Sequence, residues 1–359
     1  MDTGLLSKEN SKILRGLGIM CIMLHNFLHD SRFGFAPQNE MFFSSDRTMA
    51  FFSSLSNGHF TAQLFSFLGW VGVPVFIFLT GYGVALRTPP LLGGERNVFI
   101  KRNYLKLFFL LAPALLVFCV IDVFNHYWVG VVKRSVYLTM MANFVYPFVQ
   151  RQPGSYWYFG MTFQLYLLWA FAGRYFNKKN LIWLSVIMLG GLYVLCLFDA
   201  PKLLSIYRHC FTGWFFVFAF GVYMAQQKNN VFYKIKTSWL LELLLAVAFL
   251  VLMLVMNLTL ESWVFVPFVA LAFFFSLGRL FMRIKPLSMV FHWIGNFSAS
   301  IFVCHGLVKY GVMEEIFPFT SNVLLLVVIY ISLTIVFSLI YEKVYRWLLF
   351  RFVENKAVA

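Results

Sequence analysis

Charge is what this sequence has least of. Only 12% of its 359 residues are Asp, Glu, Lys or Arg, while 61% are hydrophobic and 20% aromatic, and the mean hydropathy is +0.77. Such a composition excludes an ordinary soluble domain and makes the chain an integral membrane protein. Acids are scarcer still, 14 against 29 Lys and Arg. No CxxC pair occurs, and Cys21, Cys119, Cys196, Cys210 and Cys304 all lie in or beside apolar runs, which argues against a disulfide framework or a zinc site. No small-residue cleavage site follows the first apolar run, so a removable signal peptide is not expected. Internal repeats, low-complexity tracts and soluble-domain-sized polar blocks are also lacking, and the expected organisation is one membrane domain over 1–359.

What is present is a series of apolar runs of about 17 to 23 residues, the length a helix needs to cross a hydrocarbon core. They do not alternate as the strands of a barrel would. The runs predict an all-α bundle with spans near 13–30, 64–86, 104–122, 156–173, 181–198, 210–227, 238–256, 262–281, 290–310 and 322–341. With the N-terminus inside, most Lys and Arg fall on the cytoplasmic side, so the net charge of +15 reflects topology rather than nucleic-acid binding. The same asymmetry predicts both termini in the cytoplasm. Residues 131–149 are apolar but carry Lys133 and Arg134, and a crossing there would invert the charge pattern, so an outer-face or re-entrant segment is expected.

The stretch RGLGIMCIMLHNFLH, residues 15–29, sets Arg15, His25 and His29 in an otherwise oily helix. Arg15 and His25 are ten residues apart, about 15 Å along the axis and roughly 80° around it, while His25 and His29 share a face. Arg15 suits a snorkelling anchor at the inner face. An ionisable group inside a span faces a cavity or a partner, which makes His25 the candidate for proton chemistry near neutral pH. Asn26 and His29 are its neighbours toward the outer face. The Asp and Glu near spans all sit at span ends, so no Ser-His-Asp relay is legible, and the HxxxH pair lacks the further ligands a metal needs.

Four other features carry candidates. GWVGVPVFIFLTGYGVAL, residues 69–86, has glycines that allow close helix packing or ligand approach, with Tyr82 among them. The inner loop 87–103 gathers Arg96, Lys101 and Arg102, with Lys106 just beyond, a cluster suited either to a nucleotide's phosphates or to fixing topology. PGSYWYFGMTFQLYLLW, residues 153–169, holds Tyr156, Trp157 and Gln164, as an interfacial aromatic belt or a surface for sugar rings. SIFVCHGLV, residues 300–308, places His305 near the outer end of its helix.

These stretches, with FIKRNYLKLFFLLAP, resemble in order and topology the acyltransferase family 3 membrane proteins over about residues 12 to 341. The resemblance implies a ten-helix protein of the bacterial cytoplasmic membrane that moves an acyl group, often acetyl, from a cytoplasmic thioester donor to a hydroxyl of an extracytoplasmic or lipid-linked glycan. It implies Arg15 and His25 as the basic residue and histidine of the first helix, Gly72 to Gly83 as the glycine-rich second helix, and Arg102 and Lys106 as the basic pair of the first inner loop. Here nine residues rather than ten separate Arg15 from His25, with Asn26 in the family's histidine place, and Asn103 stands where an arginine is expected. The corresponding mechanism has the basic loop hold the phosphates of acyl-CoA, while Arg15 positions the donor. His25 then serves as general base or covalent relay toward a carbohydrate acceptor. A transporter or flippase using His25, His29 and His305 as proton carriers is the competing class.

Overall fold

The computed structural model describes residues 6–35, 37–124, 126–145, 156–227 and 237–354. Among them every regular element is helical. The chain runs through α1 (Asn10–Leu28), α2 (Ser45–Ser54), α3 (Phe60–Leu68), α4 (Val73–Arg87), α5 (Gly94–Phe124) and α6 (Trp128–Tyr137). It continues through α7 (Trp157–Ala172), α8 (Lys178–Leu197), α9 (Pro201–His209), α10 (Phe215–Gln226), α11 (Trp239–Met256) and α12 (Leu260–Trp263). Last come α13 (Val266–Arg283), α14 (Lys285–Asn296), α15 (Ser298–Leu307), α16 (Met313–Ile316) and α17 (Val323–Leu349). The helices cluster into two compact units, one of residues 1–88, 177–204 and 213–298, the other of 89–176, 205–212 and 299–359.

Among the described residues six helices are long and apolar enough to cross a membrane: Phe60–Arg87, Gly94–Phe124, Lys178–Leu197, Trp239–Met256, Val266–Arg283 and Val323–Glu354. A seventh crossing arises if Lys285–Asn296 and Ser298–Phe319, bent by 72°, form one broken span. The chain is therefore an all-helical, multi-pass membrane protein, and length and apolarity alone carry six or seven of the ten expected crossings. The segments expected at 13–30, 156–173 and 210–227 are helical as α1, α7 and α10, but they are shorter or more polar. The helix at the start of 131–149, α6, has ten residues from Trp128 to Tyr137, too few to cross. Residues 146–155, including QRQPGS, lie outside the described part.

One boundary differs from expectation. Residues 94–103 are helix, not loop, because α5 starts after Gly93, whose φ of 53° turns the chain out of the Pro89–Pro90 segment. At 31 residues α5 is about 46 Å long, so roughly ten residues overshoot a core of about 30 Å. Inside the same helix Pro113 strains the backbone ladder, and Tyr341 bridges the break. Its hydroxyl accepts from Ala114 N–H at 3.2 Å and donates to the Leu110 carbonyl at 2.7 Å.

In the first unit α1 is enclosed by protein. Glycines let the backbones approach: a Cβ on Gly16 would run into the Phe291 carbonyl, and one on Gly295 into the Lys12 carbonyl, so α1 and α14 touch main chain to main chain. Gly72 meets the Gly18 carbonyl in the same way, and Gly81 and Gly221 join α4 to α10. Gly83 packs against nothing within 4 Å. The glycine pattern of 69–83 is thus spent largely on helix packing.

Candidate functional site

The first unit's site is built where α1 passes the end of α3. Phe60–Leu68 is a nine-residue helix, and the turn of 3-10 helix at Gly69–Gly72 breaks its run into α4. The break leaves the Phe65 carbonyl at a helix C-terminus, where it accepts from Gly69 N–H and lies 3.1 Å from Nδ1 of His25. Gly69 is required there: a Cβ would lie 2.7 Å from the His25 Cβ and 2.9 Å from the Cys21 carbonyl.

That contact fixes the histidine's chemistry. A carbonyl only accepts, so Nδ1 carries the proton and the lone pair of the neutral ring lies on Nε2. A backbone carbonyl thus does the orienting that a carboxylate does in other sites, which is why no partner acid is legible in the sequence. Asp30, the nearest acid along the chain, is held by Arg32, whose Nε and Nη2 donate to it at 2.8 Å each.

The four candidates of α1 and its C-cap separate clearly. His25 is 4% exposed and faces the interior. Asn26 is half-buried and donates to the Ile22 carbonyl of its own helix at 2.9 Å. His29 is exposed and stacks on His25, with ring centroids 5.5 Å apart and planes 13° from parallel. Arg15 is half-buried on the same helix, toward its N-terminus. Tyr82 stacks on Phe78 at 6.1 Å in α4.

In the second unit the four basic candidates ride on the first turns of α5. Arg96 donates to the Leu91 carbonyl at 3.3 Å and sits over the Phe171 ring, 5.9 Å from its centroid. Lys101 and Arg102 are exposed, and Lys106 is half-buried one turn beyond Arg102. The four form a cationic stem at the start of the long helix α5.

The remaining candidates are packed inside the second unit. Tyr156 donates to the Val303 carbonyl at 2.8 Å. Gln164 Oε1 accepts from Phe211 N–H at 2.9 Å. Trp157 meets His209 edge to face at 5.5 Å. His305 is 0% exposed, and neither ring nitrogen makes a well-aligned hydrogen bond among the described residues. The carbonyls of Phe302 and Ile301, one turn back, are the acceptors within its reach. Sequence reasoning missed Asn143, which is buried and donates to the carbonyls of both Trp157 and His209 at 2.7 and 2.6 Å. Its signal was a lone amide in an apolar run. His209 donates from Nδ1 to the Ser205 carbonyl at 2.6 Å, and burial pushes it down to about 4, so it is neutral at pH 7. Among the described residues no group of three or more His, Cys, Asp and Glu is arranged to hold a metal ion.

Comparison with known proteins identifies the family. The acyltransferase domain of acyltransferase family 3 matches residues 9–343, nearly the whole chain. No curated protein and no solved structure matches the chain significantly.

Proposed function

The chain belongs to acyltransferase family 3 and is an acyltransferase, and we propose that it O-acylates a carbohydrate. In this reading it transfers an acyl group, acetyl in the simplest case, from cytoplasmic acyl-CoA to a hydroxyl of a cell-surface or lipid-linked glycan. It works in the bacterial cytoplasmic membrane with ten crossings and both termini inside.

The observation that carries the reading is the buried His25 with Nδ1 set against the Phe65 carbonyl. Its Nε2 takes the proton from the acceptor hydroxyl as that oxygen attacks the thioester carbonyl carbon. The C–S bond then breaks, the new ester keeps the acyl group, and the leaving thiolate recovers a proton from the imidazolium. The exposed His29, stacked on His25, covers the ring on its outward side. Arg15 positions the donor from the inner part of α1. Arg96, Lys101, Arg102 and Lys106 give the phosphates of CoA charge-assisted hydrogen bonds.

The test is His25→Ala and His25→Gln at membrane abundance equal to wild type, with ester-linked acyl groups on surface glycans as the readout. A fall of about 100-fold or more is expected, the scale of a lost general base. Unchanged ester content with reduced glycan export would replace this reading by a transporter.

A further inference from the structure

Outside the site described, the first unit has an apolar groove of about 320 Å³ along α8, open on its outer side. Leu181 and Leu189 of α8 form one wall, and Phe216 and Phe220 of α10 with Phe268 of α13 form the other. The ring of Phe268 lies 5.1 Å from Phe216 and 6.0 Å from Phe220, so the aromatic wall is itself well packed. The charged group of the lining lies at one end, while Ser185 midway turns its hydroxyl back to the Leu181 carbonyl at 2.7 Å. At the charged end Lys178 Nζ lies over the ring of Tyr223, 6.0 Å from its centroid, with exposed Lys179 beside it and no carboxylate paired to Lys178 among the described residues.

Two dimensions identify the occupant. From Lys178 to Leu189 the helix rises about 16 Å, and one leaflet of hydrocarbon is about 15 Å deep, half of a core of about 30 Å. A cation therefore sits at headgroup depth and the groove runs to the midplane, the length of one acyl chain. Around it α8 is a lipid-facing helix: Ile182, Trp183, Val186 and Ile187 are all exposed. Left empty, such a groove forfeits dispersion contacts along both walls. The lysines lie at the end that the positive-inside rule assigns to the cytoplasm, where anionic lipids attract basic side chains.

We infer that this groove is a binding site for an anionic phospholipid of the inner leaflet, with one acyl chain between α8 and α10 and its phosphate on Lys178 and Lys179. The site is independent of the acyl-transfer reading, because it uses none of the residues assigned to donor, acceptor or proton transfer.

Native mass spectrometry of the full chain in detergent tests it, with dioleoyl phosphatidylglycerol and dioleoyl phosphatidylcholine as probes. Wild type should retain phosphatidylglycerol at the lower concentration. Lys178→Gln should weaken phosphatidylglycerol about fivefold, the factor one lysine is worth at an anionic surface, and leave phosphatidylcholine unchanged. Leu189→Trp and Ser185→Phe each fill the groove, and either one that folds should reduce both lipids. Equal phosphatidylglycerol binding by wild type and Lys178→Gln would overturn the headgroup site. Undiminished binding by the filled variants would overturn the groove, and a wild-type dimer made monomeric by Ser185→Phe would assign it to a second copy instead.

Discussion

Helices α1 and α11 are almost equal in length, 19 and 18 residues, and opposite in placement. Most of α1 is buried, and it carries Lys12, Arg15, His25 and Asn26; of α11 only Glu242, Ala246 and Met253 are buried, and nearly every other residue is apolar. In water the oily helix would be the core. In a bilayer, apolar side chains gain little by leaving lipid, while polar groups must be kept from it, so the helix with the polar groups goes inside, and Gly16 and Gly18 let its backbone be approached closely there. The exception within α11 follows the same rule, since Glu242 turns inward to Arg279 at 3.4 Å and to the Thr237 hydroxyl.

That contrast can be broken from either side. The largest effect is expected for Gly295→Val, which drives a side chain into the Lys12 carbonyl at the α1–α14 contact. A loss of about 3 kcal/mol or more should remove most folded protein in fluorescence-detected size exclusion, whereas Gly83→Val, in open space, should accumulate like wild type. Glu242→Ala comes next. It strands the partly exposed Arg279, and the melting temperature should fall by the equivalent of about 3 kcal/mol, recovered in part by Glu242→Leu with Arg279→Leu. Third, Val247→Arg sets a charge at the middle of the lipid face of α11, where insertion costs about 2.5 kcal/mol. Val247→Ala, at the same exposed position, should change stability by no more than about 0.5 kcal/mol. A destabilising Val247→Ala would mean that this face meets protein and not lipid.

The sequence made the helical membrane class legible because composition and run length are local properties. It singled out His25 because an ionisable group in lipid demands a reason, and the 3.6-residue period paired it with His29. It did not reveal what orients His25, since the partner is the main chain of Phe65, 40 positions away, and a carbonyl has no sequence signature. The early start of α5 was hidden because Pro89, Pro90 and the glycines read as a loop, although the helix begins immediately after them. The break between α14 and α15 was likewise obscured, because one continuous apolar run describes a straight helix and a bent one equally well. The family resemblance, spread over five motifs, was the most informative signal and matches the family assignment over residues 9–343.

The central claim is that His25 performs the proton transfer, oriented by Phe65. Its most direct test is acyl transfer from radiolabelled acetyl-CoA by purified protein in liposomes holding a glycan-lipid extract, comparing wild type with His25→Gln and His29→Gln. The expected result is a loss of about 100-fold or more for His25→Gln, with His29→Gln retaining most activity. Transfer by folded His25→Gln at the wild-type rate would contradict the claim.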